Sequence, residues 1–282
     1  MLFFDPLYLL LIGPAMLFAV WAQFRTMSAY TRYSRVGTQA RLTGAQAARR
    51  LLDADGLRDV QIERIAGRLT DHYDPRTRIL RLSEGVHDSQ SIAAIGIAAH
   101  EMGHALQHAA AYRPLVFRQG FYPVASFASR AWIWLFLIGA GLAASPMGRT
   151  LILAAVICLS LYAFFALVTL PVEFDASRRA LLVLETSRTL DGEELSGARK
   201  VLGAAALTYV ASAVQAVLMV VWLILRSQRR ERAAARLTAA RAGAGRRAVR
   251  PGARRSPRAA APRPAAGGRS PGGAGSGARR AA

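Results

Sequence analysis

The sequence predicts a mainly α-helical integral membrane protein, with long apolar helices around a smaller polar domain that holds a β-hairpin or small sheet. Three observations carry this. Apolar runs at 2–24, 150–170 and 201–225 are each about long enough to cross a bilayer core. Of the 282 residues, 53% are hydrophobic and 19% charged, and mean hydropathy is +0.23. Such a composition excludes a wholly disordered chain and fits a plain water-soluble globule poorly. Only within 58–83 does the apolar pattern suit strands.

The first element, 1–24, contains the run LFFDPLYLLLIGPAMLFAVWAQF at 2–24. It lacks the basic flank and small-residue cleavage site of a signal peptide, so it is read as a retained transmembrane helix. Residues 25–130 form the polar domain. Thr43 caps a predicted helix over 44–54, which Asp55–Gly56 stops. Val60, Ile62 and Ile65 suggest a strand within 58–66. The stretch 70–83, TDHYDPRTRILRLS, reads as a hairpin that turns at Asp74–Pro75 and returns through Ile79, Leu80 and Leu82. Ser89 or Ser91 then caps a helix through SIAAIGIAAHEMGHALQHAA.

Residues 131–170 read as a transmembrane helical hairpin. Pro146 and Gly148 supply its turn, and its first arm could reach back toward Pro123. Pro171 marks the exit from the span, so a helix starting there would place Glu173 in its first turn, within a segment 171–200. A further membrane helix covers 201–225. The tail, 226–282, is Arg, Ala, Gly and Pro with almost no large apolar residue, and is expected to be disordered.

The net charge of +20 looks like a nucleic-acid signal until it is located. Residues 226–282 hold 16 Arg and one acid, whereas 1–225 hold 21 basic and 16 acidic residues. The excess belongs mostly to the tail. With no aromatic residue there for base stacking, the expectation is a weak electrostatic contact with anionic lipid or nucleic acid. The single cysteine, Cys158, permits neither an intramolecular disulfide nor a cysteine zinc site.

The chemistry sits at His100-Glu101-Met102-Gly103-His104, an H-E-x-x-H pattern on a predicted helix. A spacing of four puts the imidazoles about 40° apart, one turn up the same face. Both can reach one Zn2+ ion, and Glu101 is the candidate general base for a metal-activated water. Gly103 would leave room beside the metal. A catalytic zinc wants a third protein ligand and an open position. His108 lies roughly 12 Å from His100 along a straight helix, too far for one ion. Gln107 and Ala110 stand where a metzincin would have glycine and histidine. Glu173, in LPVEFDASRRA, is the better candidate, the plainer reading being an acid paired with Arg178 or Arg179. Asp175 or Ser177 could orient a ligand histidine. His72, His87, Tyr112 and Tyr209 are candidates for stabilising an oxyanion, each set against an ordinary polar role.

Four separated blocks, AAHEMGHALQHA, LPVEFDASRRAL, DHYDPRTRILRLSEGV and AAALTYVASA, occur in an order that resembles the YugP-type membrane zinc metallopeptidases. The resemblance covers about residues 1–225 and extends distantly to the HtpX and CAAX-protease gluzincins. It implies a zincin-like helical metallopeptidase domain, with His100, His104 and Glu173 as zinc ligands and Glu101 as the catalytic base. It implies a peptide or membrane-protein substrate, held by a strand beside the site. Here that strand would be Arg78–Ser83, acting as an edge. In the gluzincin E-x-x-A-D pattern the last position is aspartate, and here it is Ser177. The Arg-rich tail lies outside the pattern.

The implied function is zinc-dependent endopeptidase activity in a multi-pass cell-membrane protein. The alternative is a catalytically inactive membrane scaffold whose basic tail binds anionic lipid or nucleic acid. Within about 20 residues of the span ends, 12 basic residues flank the side of the zinc motif and 7 the other. This favours a cytoplasmic catalytic face. Four crossings would then put the basic tail outside, a conflict removed if 201–225 lies in or on the membrane without crossing.

Overall fold

The computed structural model describes residues 5–248. It holds seven α-helices and three strands among them: α1 (Pro6–Tyr33), α2 (Gly44–Ala54), β1 (Gln61–Ile65), β2 (His72–Asp74), β3 (Ile79–Ser83), α3 (Glu84–His87), α4 (Ile92–Ala109), α5 (Arg113–Gly141), α6 (Pro146–Thr186) and α7 (Gly192–Ala248). The chain is mainly α-helical, and the helices Pro6–Tyr33, Arg113–Gly141, Pro146–Thr186 and Gly192–Arg229 are long and apolar enough to cross a membrane.

Local chemistry starts these helices where the residues suggest. Asp5 caps α1 by accepting from the Leu7 N–H at 3.0 Å. Thr43 and Gln46 form a reciprocal capping box on α2. Gly56, at φ +76°, takes the left-handed turn beyond that helix. Ser91 caps α4, accepting from the Ala94 N–H at 3.2 Å.

Around the membrane helices the usual burial pattern is inverted. On α1, Leu10, Leu17, Val20 and Phe24 are 67–74% exposed. Such a row suits contact with lipid rather than water. Between the helices, Phe136, Leu159 and Trp222 form a buried cluster, with the Tyr8 ring edge-on to Trp222. Arg226 of α7 pairs with Asp5 at 3.0 Å. A second, larger core lies in the polar domain. There Leu51, Leu52, Leu80, Leu82, Ile95 and Met102 are almost fully buried, and α4 is enclosed between α2 and α6.

Four expectations need correction. The first is Pro171, which does not end a helix: α6 runs unbroken through it. Proline removes one backbone hydrogen bond, but in an apolar surround no water competes for the rest of the ladder. Glu173 is therefore mid-helix, not in a first turn. For the same reason Pro123 lies inside α5, which starts at Arg113. Separately, α1 continues past residue 24 to Tyr33 through polar helix-compatible residues. The second is the sheet. Its order is β1-β3-β2, with β3 parallel to β1 and antiparallel to β2. Arg78–Ser83 thus includes the central strand, and β1 and β2 are the edges, β2 being the one beside Glu101. The third is the tail. α7 continues through 226–248, where Ala and Arg, both strong helix formers, dominate. Residues 249–282 lie outside the described residues, and so does the expectation of disorder there. The fourth concerns Gly103. A Cβ on it would meet the Ala176 carbonyl oxygen at 2.4 Å. The glycine makes room for the backbone of α6 rather than for a metal.

Candidate metal centre

The close approach at Gly103 brings α4 and α6 together where both carry polar side chains. His100 and His104 stand one turn apart on α4, ring centroids 4.9 Å apart and nearly perpendicular. From α6, Glu173 Oε2 lies 3.2 Å from His100 Nε2 and 3.5 Å from His104 Nε2. One donor atom from each of the three falls within 4.8 Å of the others. Glu173 is only 3% exposed, so a carboxylate there needs a cationic partner.

The donor set fits zinc. Ligands about 2.0–2.1 Å from a tetrahedral ion stand roughly 3.3 Å from one another, close to the two observed spacings. The remaining ring nitrogens are held from behind. Ser177 Oγ lies 3.0 Å from His100 Nδ1, and Gln107 Oε1 lies 3.1 Å from His104 Nδ1. Gln107 is fully buried. Its amide nitrogen donates to the Val172 carbonyl at 2.8 Å and to Asp175 Oδ2 at 3.0 Å. Those two acceptors fix the amide so that its oxygen faces His104. The hydrogen on His104 then sits on Nδ1, leaving the Nε2 lone pair toward Glu173. Asp175 is braced in turn by Arg178 and Arg179, each at 2.6 Å. Burial disfavours the charged His104 ring, but the carboxylates of Glu173 and Glu101 outweigh it and raise the pKa of His104.

Glu101 sits beside the triad. Its Oε2 accepts the Tyr73 backbone N–H of β2 at 3.1 Å, which ties the carboxylate to the sheet edge. Arg118 of α5 lies 3.3 Å from Glu173 Oε1. An open polar cavity of about 590 Å³ leads to Glu101, His104 and Glu173, with Tyr73 and Asp74 on one wall and Arg118 and Tyr122 on another. A smaller chamber reaches the same cluster from the side of α1 and α7.

The structure thus brings His100, Glu101, His104 and Glu173 together. His108 is not among them: its Nδ1 meets the Tyr73 hydroxyl at 2.9 Å. Ser177 does contact His100, while Asp175 reaches His104 only through Gln107. Of the oxyanion candidates, His72 lines the polar cavity and Tyr209 lines both cavities. His87 pairs with Asp88 beside a separate depression against α2. Tyr112 packs under Arg179. Gln107, Arg118 and Tyr73 were not anticipated. Gln107 carried one usable signal, a spacing of three from His104 that shares its helix face.

A family model described as "Putative neutral zinc metallopeptidase" matches residues 8–228. The "Putative membrane protease YugP" of Bacillus subtilis (strain 168) is 46% identical over 208 residues, which is 74% of this chain and 91% of that protein. No solved structure matches the chain. The chain belongs to this zinc metallopeptidase family.

Proposed function

We propose that this protein is a membrane-embedded zinc-dependent endopeptidase, with His100, His104 and Glu173 as the metal ligands and Glu101 as the general base. The observation that carries it is the convergence of two imidazoles and one buried carboxylate, with a second carboxylate beside them. A zinc ion bound there supplies Lewis acidity, acidifying a water and polarising a substrate carbonyl. The chain's own residues do the rest. Glu101 Oε2 is engaged by the Tyr73 N–H, and Oε1 faces no protein donor among the described residues. That oxygen takes the proton of the attacking water and returns it to the leaving amine. Gln107 and Ser177 hold the ligand rings in place, and Arg118 engages the second oxygen of Glu173. An extended peptide or a segment of a membrane protein would lie in the polar cavity along the β2 edge, with its backbone paired to the strand.

The excess of basic residues on the site's side of the helices supports a cytoplasmic catalytic face. The first test is zinc content of the detergent-purified protein. About one zinc per chain is expected in the wild type, lost in Glu173→Ala and kept in Glu101→Gln, which should abolish peptide hydrolysis. A folded wild type without zinc would overturn this reading and favour the inactive scaffold.

A further inference from the structure

The smaller chamber behind the metal cluster has a lining of its own. Its volume is about 300 Å³, at the small end of ligand sites. It shares Asp71, Glu101, Glu173 and Tyr209 with the polar cavity, so the catalytic cluster stands at its mouth. The rest of the lining combines the apolar side chains of Leu69, Ile97, Val201, Leu202, Ala205 and Ala206 with the uncharged polar ones of Gln23, Thr26, Tyr30, Ser177 and Thr208. Among the described residues, no Arg or Lys lines it.

Most of the polar groups in that lining are already committed. Asp71 accepts the Ser83 N–H at 2.7 Å and its hydroxyl at 3.0 Å. Thr26 donates to the carbonyls of Ala22 and Ala204, each at 2.9 Å, which staples α1 to α7. Thr208 donates to the Ala205 carbonyl at 2.7 Å, and Ser177 holds His100. A polar or charged side chain entering the chamber would lose water and find few free partners. An apolar one would lose only water contacts, which favours entry.

We infer that this chamber is a specificity pocket, which takes one apolar side chain next to the scissile bond. The inference rests on the endopeptidase reading. A peptide lying along β2 and crossing the metal cluster has its next side chain at the chamber mouth. The small residues Ala205 and Ala206 of α7 leave space, and Ile97 of α4 adds a larger apolar side chain to the lining.

The test uses zinc-loaded Glu101→Gln protein in nanodiscs, which binds without cleaving. The probes are fluorescein-labelled heptapeptides of glycine with Ala, Leu, Phe, Asp or Lys at the centre, read by fluorescence polarisation. The Leu or Phe peptide is expected to bind at least about tenfold tighter than the Ala, Asp and Lys peptides. Adding Ala205→Phe should bring the Leu-to-Ala ratio below about two, and adding Ile97→Ala should favour Phe over Leu. These opposite changes do not depend on one variant folding. Equal binding of all peptides, no binding of any, a preference for Lys, or a Leu preference that survives both changes would overturn the pocket. Zinc is measured in the same samples. A protein that holds zinc but shows no side-chain preference refutes the pocket alone. One that holds no zinc refutes the metal-centre reading, and its peptide preference still reports on the chamber.

Discussion

Replacing Gly103 by alanine tests the whole centre through one methyl group. The added Cβ would sit 2.4 Å from the Ala176 carbonyl oxygen, whereas real Cβ contacts essentially never fall below 3.0 Å. α4 and α6 must therefore separate locally by about 0.6 Å. Backbone carbonyls in mid-helix cannot swing aside as a flexible side chain would. Overpacking of this kind costs about 1–3 kcal/mol, against about 1 kcal/mol regained from the better helix propensity of alanine. The net change in stability is then at most about 2 kcal/mol. The metal is the sharper reporter. Glu173 lies one turn before Ala176 on the same rod, so the separation is transmitted to its spacing from both histidines. Zinc affinity should fall by at least about tenfold, or about 1.4 kcal/mol. The assay is competition with a fluorescent zinc chelator, run beside a thermal unfolding curve. Zinc affinity within twofold of wild type, with an unchanged midpoint, would refute the claim that this contact sets the ligand spacing.

Three other perturbations follow from the same geometry. Gln107→Leu removes the acceptor behind His104 and the donor that Val172 and Asp175 share, so zinc should dissociate about 10- to 100-fold more readily; unchanged affinity would show that the His104 ring needs no such support. Burial pushes the Asp74 carboxyl up, but hydrogen bonds from Thr77, the Arg76 backbone and Arg81 hold it down at about 2 against an ordinary 3.8. Asp74 therefore stabilises the fold above about pH 4, and loses that contribution, about 1 kcal/mol after solvent screening, as pH falls from about 4 to 2. In Asp74→Asn an acid titration of stability should be correspondingly flatter, and an identical curve would contradict the assignment. With Cys158 replaced by alanine and a cysteine at exposed Arg76, a membrane-impermeant maleimide should label inverted vesicles and not intact cells; labelling of intact cells would place the site outside.

What the sequence revealed depended on how local the information was. His100, Glu101 and His104 share one helical turn, so their spacing alone put them on one face. Glu173 stood out because a carboxylate right after a long apolar run is costly without a partner. Its setting was less legible. Proline is a helix breaker in water, and only the apolar surround of α6 lets the helix pass through Pro171. The hairpin at 70–83 could be read from its turn, but the place of β3 could not. That depends on β1 returning to pair in parallel, a contact between distant segments. Gln107, Arg118 and Tyr73 were hidden for a related reason. Each is an ordinary polar residue until α6, Glu173 or Glu101 is brought against it. The helical continuation of α7 was masked by a tail composition that suggests disorder as a whole, although Ala and Arg dominate its first 23 residues.

The division of the ligands between α4 and α6 has a consequence for biosynthesis. A growing chain that has emerged as far as α5 carries both histidines and Glu101, but only two of the three ligands. Glu173 arrives later, in the middle of α6, the helix that completes the α5–α6 hairpin. The centre therefore closes only after that hairpin has formed and packed against α4 through Gly103. On the proposed reading, a fragment ending before α6 lacks Glu173 and cannot complete the centre, so hydrolysis would wait for the hairpin to form in the bilayer.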